Sequence, residues 1–157
     1  MKNKLTIMRG IPGSGKSTEA DKILEDQGGS ILSADLYPGL YTHDENGDIK
    51  INPHLLGAAH GECIRGAVAS LMQGDSVIID NTNLTVAECA PYVALGLAYG
   101  ADVEIVGVGC DPDVAYKRQT HGVPRHVHMG MVERFKAFDP PPHWAFSITY
   151  RYMETTQ

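Results

Sequence analysis

Short hydrophobic runs alternate along the chain with longer segments whose apolar residues recur at helical spacing. Four of the runs predict β-strands: "KLTIMR", "GSILS", "DSVIID" and "ADVEIVGV". Helices are predicted between them, over about residues 17–25, 52–72 and 85–99. Because the strands are apolar almost throughout and have no polar face, they are typical of a parallel sheet covered by helices on both sides. The pattern therefore predicts the α/β class.

The remaining segments are predicted to extend this plan without a second domain. Residues 41–52 have the pattern of a β-hairpin with Asn46 and Gly47 at its turn. A helix from Asp111 to Arg118 and another from Arg125 to Phe138 flank a Gly-Val-Pro break. The tail, residues 139–157, is predicted to add an edge strand over 146–152 and to bury an aromatic anchor, Trp144, although this ring could instead pack near a bound adenine.

We therefore expect one domain over residues 1–157, with a sheet of four or five parallel strands and a helical lid at about 112–130. The net charge of −6 argues against a broad nucleic-acid surface. The three cysteines are odd in number and widely separated, which disfavours a disulfide framework. The longest apolar stretch, "PYVALGLAYGA", is too short to cross a bilayer, and "MKNKLTIMRG" lacks the apolar core of a signal peptide. A cytoplasmic protein without membrane contact is expected.

The most specific motif is "GIPGSGKST", residues 10–18, which matches GxxxxGK(S/T) between a predicted strand and a predicted helix. Its glycines let the backbone curl, so that consecutive N–H groups face phosphate oxygens at the start of a helix. Lys16 would reach the β- and γ-phosphates, and the Ser17 hydroxyl would ligate magnesium. The motif thus predicts ATP and Mg²⁺, bound by Gly13, Ser14, Gly15, Lys16, Ser17 and Thr18.

Two aspartates follow the second and third predicted strands, at the carboxyl ends where ligands of such sheets gather. Asp35, in "SAD", could accept the proton of an attacking hydroxyl, or it could cap the turn at residues 37–39. Asp80, in "VIIDNTN", has the position of a Walker B carboxylate that holds magnesium with Ser17. Asn81 and Asn83 offer polar groups to a substrate at the floor of the cleft.

Two further polar positions have balanced interpretations, and a third indicates the start of a helix. His60 and Arg65, on the long helix, could face the cleft and contact substrate, or could lie on its surface. Thr85 is followed three residues later by Glu88, which indicates a capping box at the start of a helix.

Taken in order, "GIPGSGKST", "SAD", "IIDNTN" and "KRQTHGVP" resemble the P-loop polynucleotide 5'-hydroxyl kinases, including AAA-type kinase-like modules of phage and bacterial proteins and of a ubiquitin-ligase-binding protein. The resemblance covers roughly residues 4–138. It implies a P-loop kinase fold, ATP with magnesium, Lys16 on the phosphates, Asp35 as general base and a mobile lid that carries an arginine. A phage-encoded member would act in the host cytoplasm.

The chain departs from this family where the acceptor binds. Members commonly carry an arginine just after the general base, and the residues around Pro38 supply none. The acceptor therefore stays open between a nucleic-acid 5'-hydroxyl end and another hydroxyl, such as a modified base like hydroxymethyluracil in phage DNA, a nucleoside or a small metabolite. A non-catalytic nucleotide-binding module is a third reading, which the intact P-loop and aspartates disfavour.

The basic stretch "KRQTHGVPRHVHMG", residues 117–130, first suggests a histidine metal site. His126 and His128, however, are two positions apart on a predicted helix and point in different directions, and no acidic or cysteine partner accompanies them. No structural metal is therefore predicted. An arginine that closes over the γ-phosphate fits better, because it stabilises the charge that develops in phosphoryl transfer. Arg118 is the first choice and Arg125 the second.

The helix that follows is expected to turn an apolar stripe toward the core and a polar face toward solvent or the cleft. The stripe comprises Val127, Met131, Val132 and Phe135, and the polar face comprises Arg125, His128 and Arg134.

Overall fold

The computed structural model describes residues 2–155 and has five parallel strands in one sheet. The strands of this sheet are β1 (Lys4–Arg9), β2 (Ser30–Leu32), β5 (Val77–Asp80), β6 (Asp102–Gly109) and β7 (Ile148–Glu154). Their order across the sheet is β2-β5-β1-β6-β7, so that β1 is central. A separate antiparallel hairpin consists of β3 (Tyr41–His43) and β4 (Ile49–Ile51), as the Asn-Gly turn predicts.

Helices cover both faces of the sheet. They are α1 (Lys16–Gln27), α2 (Leu56–Met72), α3 (Val86–Ala98), α4 (Pro112–Arg118) and α5 (Arg125–Lys136). Along β1, Leu5 and Ile7 join the core under α2 and α3, whereas Met8 joins a second core with Ala20 of α1. Strands that are buried on both faces explain the continuous apolar runs in the sequence. The predicted α/β class with a parallel sheet is confirmed.

Two helices begin at the caps that the sequence indicates. At the start of α3, the Glu88 N–H donates to Thr85 Oγ1 at 3.2 Å, and the Thr85 hydroxyl donates to the Glu88 carboxylate at 3.0 Å. At the start of α4, Asp111 Oδ1 accepts from the N–H groups of Asp113 and Val114 at 2.9 and 3.1 Å. The caps fix where each helix starts after the sheet edge.

The tail adds the predicted edge strand, although β7 spans Ile148–Glu154 and so lies two residues later than expected. It pairs with β6 in parallel. Trp144 is 6% exposed and belongs to the main core, which confirms the aromatic anchor and leaves the adenine alternative without support.

The expected orientation of α5 is wrong at two positions. His128 is 2% exposed, whereas Val127 is 38% exposed. The reason is helical geometry: His128 lies one turn before the buried Val132 and shares its face, and Val127 is displaced to the side. The buried imidazole finds a polar partner, because its Nε2 lies 2.9 Å from the carbonyl oxygen of Pro12.

Arg9, the last residue of β1, is a buried cation that is 5% exposed. Its guanidinium donates to the carbonyl oxygens of Asn83 and Leu84, both at 2.9 Å, and of Phe135 at 3.2 Å. It also lies 3.6 Å from the ring centroid of Phe138. Burial lowers the pKa of Arg9. The side chain joins the central strand to the β5–α3 loop and to α5.

No helix between residues 2 and 155 is long and apolar enough to span a membrane.

Candidate active site

The P-loop connects β1 to α1 and has the backbone conformation that its glycines predict. Gly13 and Gly15 adopt φ angles of 85° and 93°, in the region that favours glycine. Gly15 is the N-cap of α1, and no side chain of the described residues caps this helix. The N–H groups of its first turn are therefore available to phosphate oxygens.

Asp80, at the end of β5, accepts hydrogen bonds from two P-loop side chains. The Lys16 ammonium donates to its Oδ1 at 2.8 Å, and the Ser17 hydroxyl donates to its Oδ2 at 2.9 Å. The Lys16 and Asp80 side chains are only 11% and 10% exposed. The Ser17 hydroxyl and the Asp80 carboxylate are hard oxygen donors, the class that Mg²⁺ prefers, so that these two residues fit the metal implied by the motif.

A cleft of about 380 Å³ lies above the P-loop. It brings Asp35 together with Lys16, although the two residues follow different strands. This is the placement expected when the carboxyl ends of parallel strands meet at one edge. The lining residues are Ile11, Pro12, Gly13, Ser14, Gly15, Lys16, Ser17, Thr18, Asp35, Thr82, Arg118, Gln119, Thr120 and His121.

Two aromatic side chains contact the Asp35 carboxylate. The Tyr41 hydroxyl donates to Oδ1 at 2.9 Å, and His121 Nε2 lies 3.5 Å from Oδ2. The Tyr41 and His121 rings stack on each other, with centroids 5.1 Å apart and an interplanar angle of 19°. Burial, followed by the neighbouring Asp35 carboxylate, raises the pKa of the Tyr41 phenol, so that it keeps its proton well above neutral pH.

The two lid arginines have different surroundings. Arg118 lines the cleft, where its Nε donates to the Gly13 carbonyl oxygen at 3.1 Å and its Nη2 to Cys110 Sγ at 3.2 Å. Arg125 forms an ion pair with Asp113 and lies over the Tyr116 ring, 4.7 Å from its centroid. The structure thus brings Arg118, and not Arg125, to the P-loop.

Asn81 and Asn83 are buried and bonded to the main chain. Asn81 Oδ1 accepts from the Ala34 N–H at 2.9 Å, next to Asp35. The Asn83 amide donates to the Met8 carbonyl oxygen at 2.8 Å, and its φ of 44° is the one positive value outside glycine among residues 2–155. Both amides therefore hold the strand ends together, and Thr82 between them lines the cleft.

His60 and Arg65 do not line the cleft. Both are exposed on α2, and Arg65 lies 3.7 Å from Glu62, one turn earlier on the same helix.

Sequence reasoning missed three residues around the site: Tyr41, His121 and Thr155. The Thr155 hydroxyl, just after β7, contacts the carbonyl oxygens of Ser14 and Gly109, so that the tail packs on the P-loop. His121 could have been recognised as a loop residue three positions after Arg118. No spacing rule links Tyr41 or Thr155 to this site, because their approach depends on how the hairpin and the tail fold back.

Gly13→Ala is expected to weaken nucleotide binding by about 5- to 140-fold, because overpacking of this size costs on the order of 1–3 kcal/mol. A Cβ atom at Gly13 would lie 1.9 Å from the Ala115 carbonyl oxygen, so that the P-loop or α4 must move. Gly47→Ala is the matched control, since Gly47 has a similar φ of 82° and no atom within 4 Å of an added Cβ. Calorimetric titration with a non-hydrolysable ATP analogue measures both. Equal affinities would contradict the role of this contact.

Residues 5–141 match the AAA domain family. The human NEDD4-binding protein 2 is 35% identical in an alignment of 148 positions that covers 88% of this chain and 8% of that protein, so that the chain spans a small part of this curated relative. The structure of the Pnkp1/Rnl/Hen1 RNA repair complex is similar with a TM-score of 0.69 and 22% identity, over 86% of this chain and 44% of that chain. A gluconokinase from Sinorhizobium meliloti 1021 is similar with a TM-score of 0.59 and 15% identity, over 99% and 83% of the two chains. The structural likenesses show a P-loop kinase fold.

Proposed function

Because the chain belongs to the AAA domain family, we propose that it transfers the γ-phosphoryl group of ATP to a hydroxyl, and that the preferred acceptor is the 5'-hydroxyl end of a polynucleotide. The observation that supports this most is the cleft in which Asp35 faces the P-loop residues Lys16 and Ser17. A phosphate cradle alone serves many nucleotide-dependent proteins, whereas a carboxylate placed across from it provides a base for an attacking hydroxyl.

In this reaction, Asp35 accepts the proton of the acceptor hydroxyl while the acceptor oxygen forms a bond to the γ-phosphorus. The bond between that phosphorus and the bridging oxygen breaks, and its electron pair stays on ADP. Lys16 exchanges Asp80 for the β- and γ-phosphate oxygens. Ser17 and Asp80 would hold Mg²⁺, which supplies positive charge to the phosphates when bound.

Arg118 is the arginine that we assign to the transition state. It already contacts the Gly13 carbonyl, within the loop that surrounds the phosphates. Arginines that act on the γ-phosphoryl group contribute on the order of 10³- to 10⁵-fold in rate. Arg125 would have to leave Asp113 and Tyr116 before it could serve, which makes it the second choice.

The nucleic-acid acceptor is supported by the similarity to a structure from an RNA repair complex and by the ordered motifs of the polynucleotide kinases. A smaller alcohol is the second candidate, and one observation favours it. Directly after Asp35 the chain offers Leu36, which is 77% exposed, then Tyr37 and Pro38, so that no cation stands there to bind an acceptor phosphate. The similarity to a gluconokinase agrees with this candidate.

An acceptor panel with γ-labelled ATP and magnesium distinguishes the candidates. We expect label on 5'-hydroxyl DNA or RNA oligonucleotides and none on the same oligonucleotides that already carry a 5'-phosphate. Thymidine, hydroxymethyluracil-containing DNA with blocked ends, and gluconate represent the other hydroxyls. Label on these alone would replace the nucleic-acid acceptor by the second candidate. ATP binding without transfer to any acceptor would leave a nucleotide-binding module.

A further inference from the structure

Both oxygens of the Asp35 carboxylate already have partners in the protein. Oδ1 accepts the Tyr41 hydroxyl at 2.9 Å, and Oδ2 lies 3.5 Å from His121 Nε2. The Asp35 side chain is 35% exposed, so that solvent reaches the carboxylate. Burial therefore does not restrict access to this carboxylate, and the restriction comes from one protein partner at each oxygen.

The two partners come from segments that are far apart in sequence and meet at this carboxylate. Tyr41 lies on the hairpin strand β3, and His121 lies in the loop between α4 and α5. The Gln119 side chain closes that loop, because its amide donates to the Val123 carbonyl oxygen at 2.7 Å and accepts the Val123 N–H at 2.9 Å. His121 is therefore held in position by its own loop.

The hairpin and the loop also contact each other beside the stacked rings. A Cβ atom at Gly122 would lie 3.3 Å from both Cβ and the carbonyl oxygen of Ile49, on strand β4. The Tyr41–His121 stack and the Gly122–Ile49 contact together join the two segments over Asp35.

A kinase with a general base near bound ATP has a chemical competitor in water, which is small, abundant and also carries a proton that the base can accept. An acceptor alcohol differs from water by the rest of its molecule, whose contacts can supply the free energy to displace a protein side chain. Water has no such contacts. A base with a protein partner at each oxygen, one of which an acceptor can displace and water cannot, therefore discriminates against hydrolysis.

We propose that Tyr41 and His121 determine whether an alcohol or water receives the phosphoryl group. The inference rests on the proposed kinase function. In the protein without acceptor, Tyr41 fixes the carboxylate through Oδ1 and His121 covers Oδ2. An acceptor that binds in the cleft displaces His121 and places its hydroxyl on Oδ2, while Tyr41 keeps its hydrogen bond.

The reaction that this arrangement suppresses is ATP hydrolysis. The water oxygen would form a bond to the γ-phosphorus, and the bond from that phosphorus to the bridging oxygen would break with its electron pair on ADP. One water proton would go to Asp35 Oδ2 and then to solvent, and the products would be ADP and inorganic phosphate. No further reactant is needed.

The test measures phosphate release from ATP and magnesium without any acceptor. His121→Ala is expected to raise the hydrolysis rate at least about tenfold, since an accessible general base contributes on the order of 10²–10⁴ in rate. His121→Gln, which can place an amide nitrogen near the position of Nε2, is expected to restore the low rate. His126→Ala is the matched control, because His126 is exposed in the same basic stretch and outside the cleft.

The double variant His121→Ala with Asp35→Asn identifies the base. The raised hydrolysis is expected to disappear in it, and a rate that stays high would overturn the inference, as would an unchanged rate in His121→Ala that still binds ATP. An equal increase in His126→Ala would also overturn it. If His121→Ala does not fold, Tyr41→Phe replaces it in the same measurement of phosphate release. This variant removes the hydroxyl that bonds Asp35 Oδ1 and keeps the stacked ring, and it is expected to raise the hydrolysis rate.

Failure of the proposed function has a different outcome. If the wild-type protein labels no acceptor but His121→Ala hydrolyses ATP in an Asp35-dependent way, the control of water at this base stands and the acceptor assignment fails. If the wild-type protein labels an acceptor and the variants show no added hydrolysis, the inference fails and the kinase assignment stands.

Discussion

Asp35→Asn is expected to lower kcat for phosphoryl transfer by about 10²- to 10⁴-fold, the contribution of a general base. Asparagine has nearly the same shape as aspartate, and its amide oxygen can still accept the Tyr41 hydroxyl that bonds Oδ1. What the substitution removes is a carboxylate that can accept a proton. ATP binding is expected to stay unchanged, because Lys16 and Ser17 interact with Asp80 and not with Asp35.

Steady-state kinetics with the best acceptor of the panel, together with titration of the ATP analogue, measures both expectations. Asp21→Asn, on the exposed side of α1, makes the same chemical change away from the cleft and serves as control. Asp80→Asn should give another pattern, with weaker binding of magnesium–ATP. Full activity of Asp35→Asn would assign the proton to another acceptor.

Arg9→Met is expected to lower the free energy of unfolding by about 1–3 kcal/mol, the range for buried polar groups that lose their partners. Methionine can fill much of the arginine stem but offers no N–H donors. The carbonyl oxygens of Asn83, Leu84 and Phe135 would then be left without these hydrogen bonds. The packing of the guanidinium against Phe138 would also be lost.

Urea unfolding at equilibrium measures this loss, and Arg151→Met provides the control. Arg151 lies on the edge strand β7, where it pairs with Glu104 at 2.8 Å and its side chain is 46% exposed. An ion pair that is this exposed is expected to contribute only about 0–1 kcal/mol. Equal losses for the two variants would show that Arg9 stabilises the fold no more than a surface arginine does.

The parts of the structure that follow local rules could be predicted from the sequence. Such parts depend only on residues that are close together in the sequence, and each lies where its pattern indicates. They are the apolar strands, the P-loop at residues 10–18, the capping box of Thr85 with Glu88 and the cap at Asp111. Asp35 meets the P-loop because parallel strands bring their carboxyl ends to one edge. This rule applies to parallel sheets in general, so that the placement of Asp35 could be predicted without knowing which side chains contact each other.

The parts that the sequence did not indicate depend on how distant segments fold back. Tyr41 reaches Asp35 through the path of the hairpin, and Thr155 reaches the P-loop only after β7 has paired with β6. His128 was expected on a polar face toward solvent or the cleft, yet it is buried on the core face of α5, where the Pro12 carbonyl oxygen lies next to its ring. A polar residue tells little about burial when its hydrogen-bond partner lies on another element.

The central position of β1 has a consequence for the way the chain folds. Leu5 pairs in register with Val77 on one side and with Val103 on the other, so that both neighbours of β1 come from segments far along the chain. Sheets with such distant pairings fold slowly, because the loops must close before the contacts form. Until β5 and β6 pair with it, the apolar side chains on both faces of β1 are exposed and can cause aggregation. Recombinant yield should therefore depend more on synthesis rate and temperature than the size of the protein suggests.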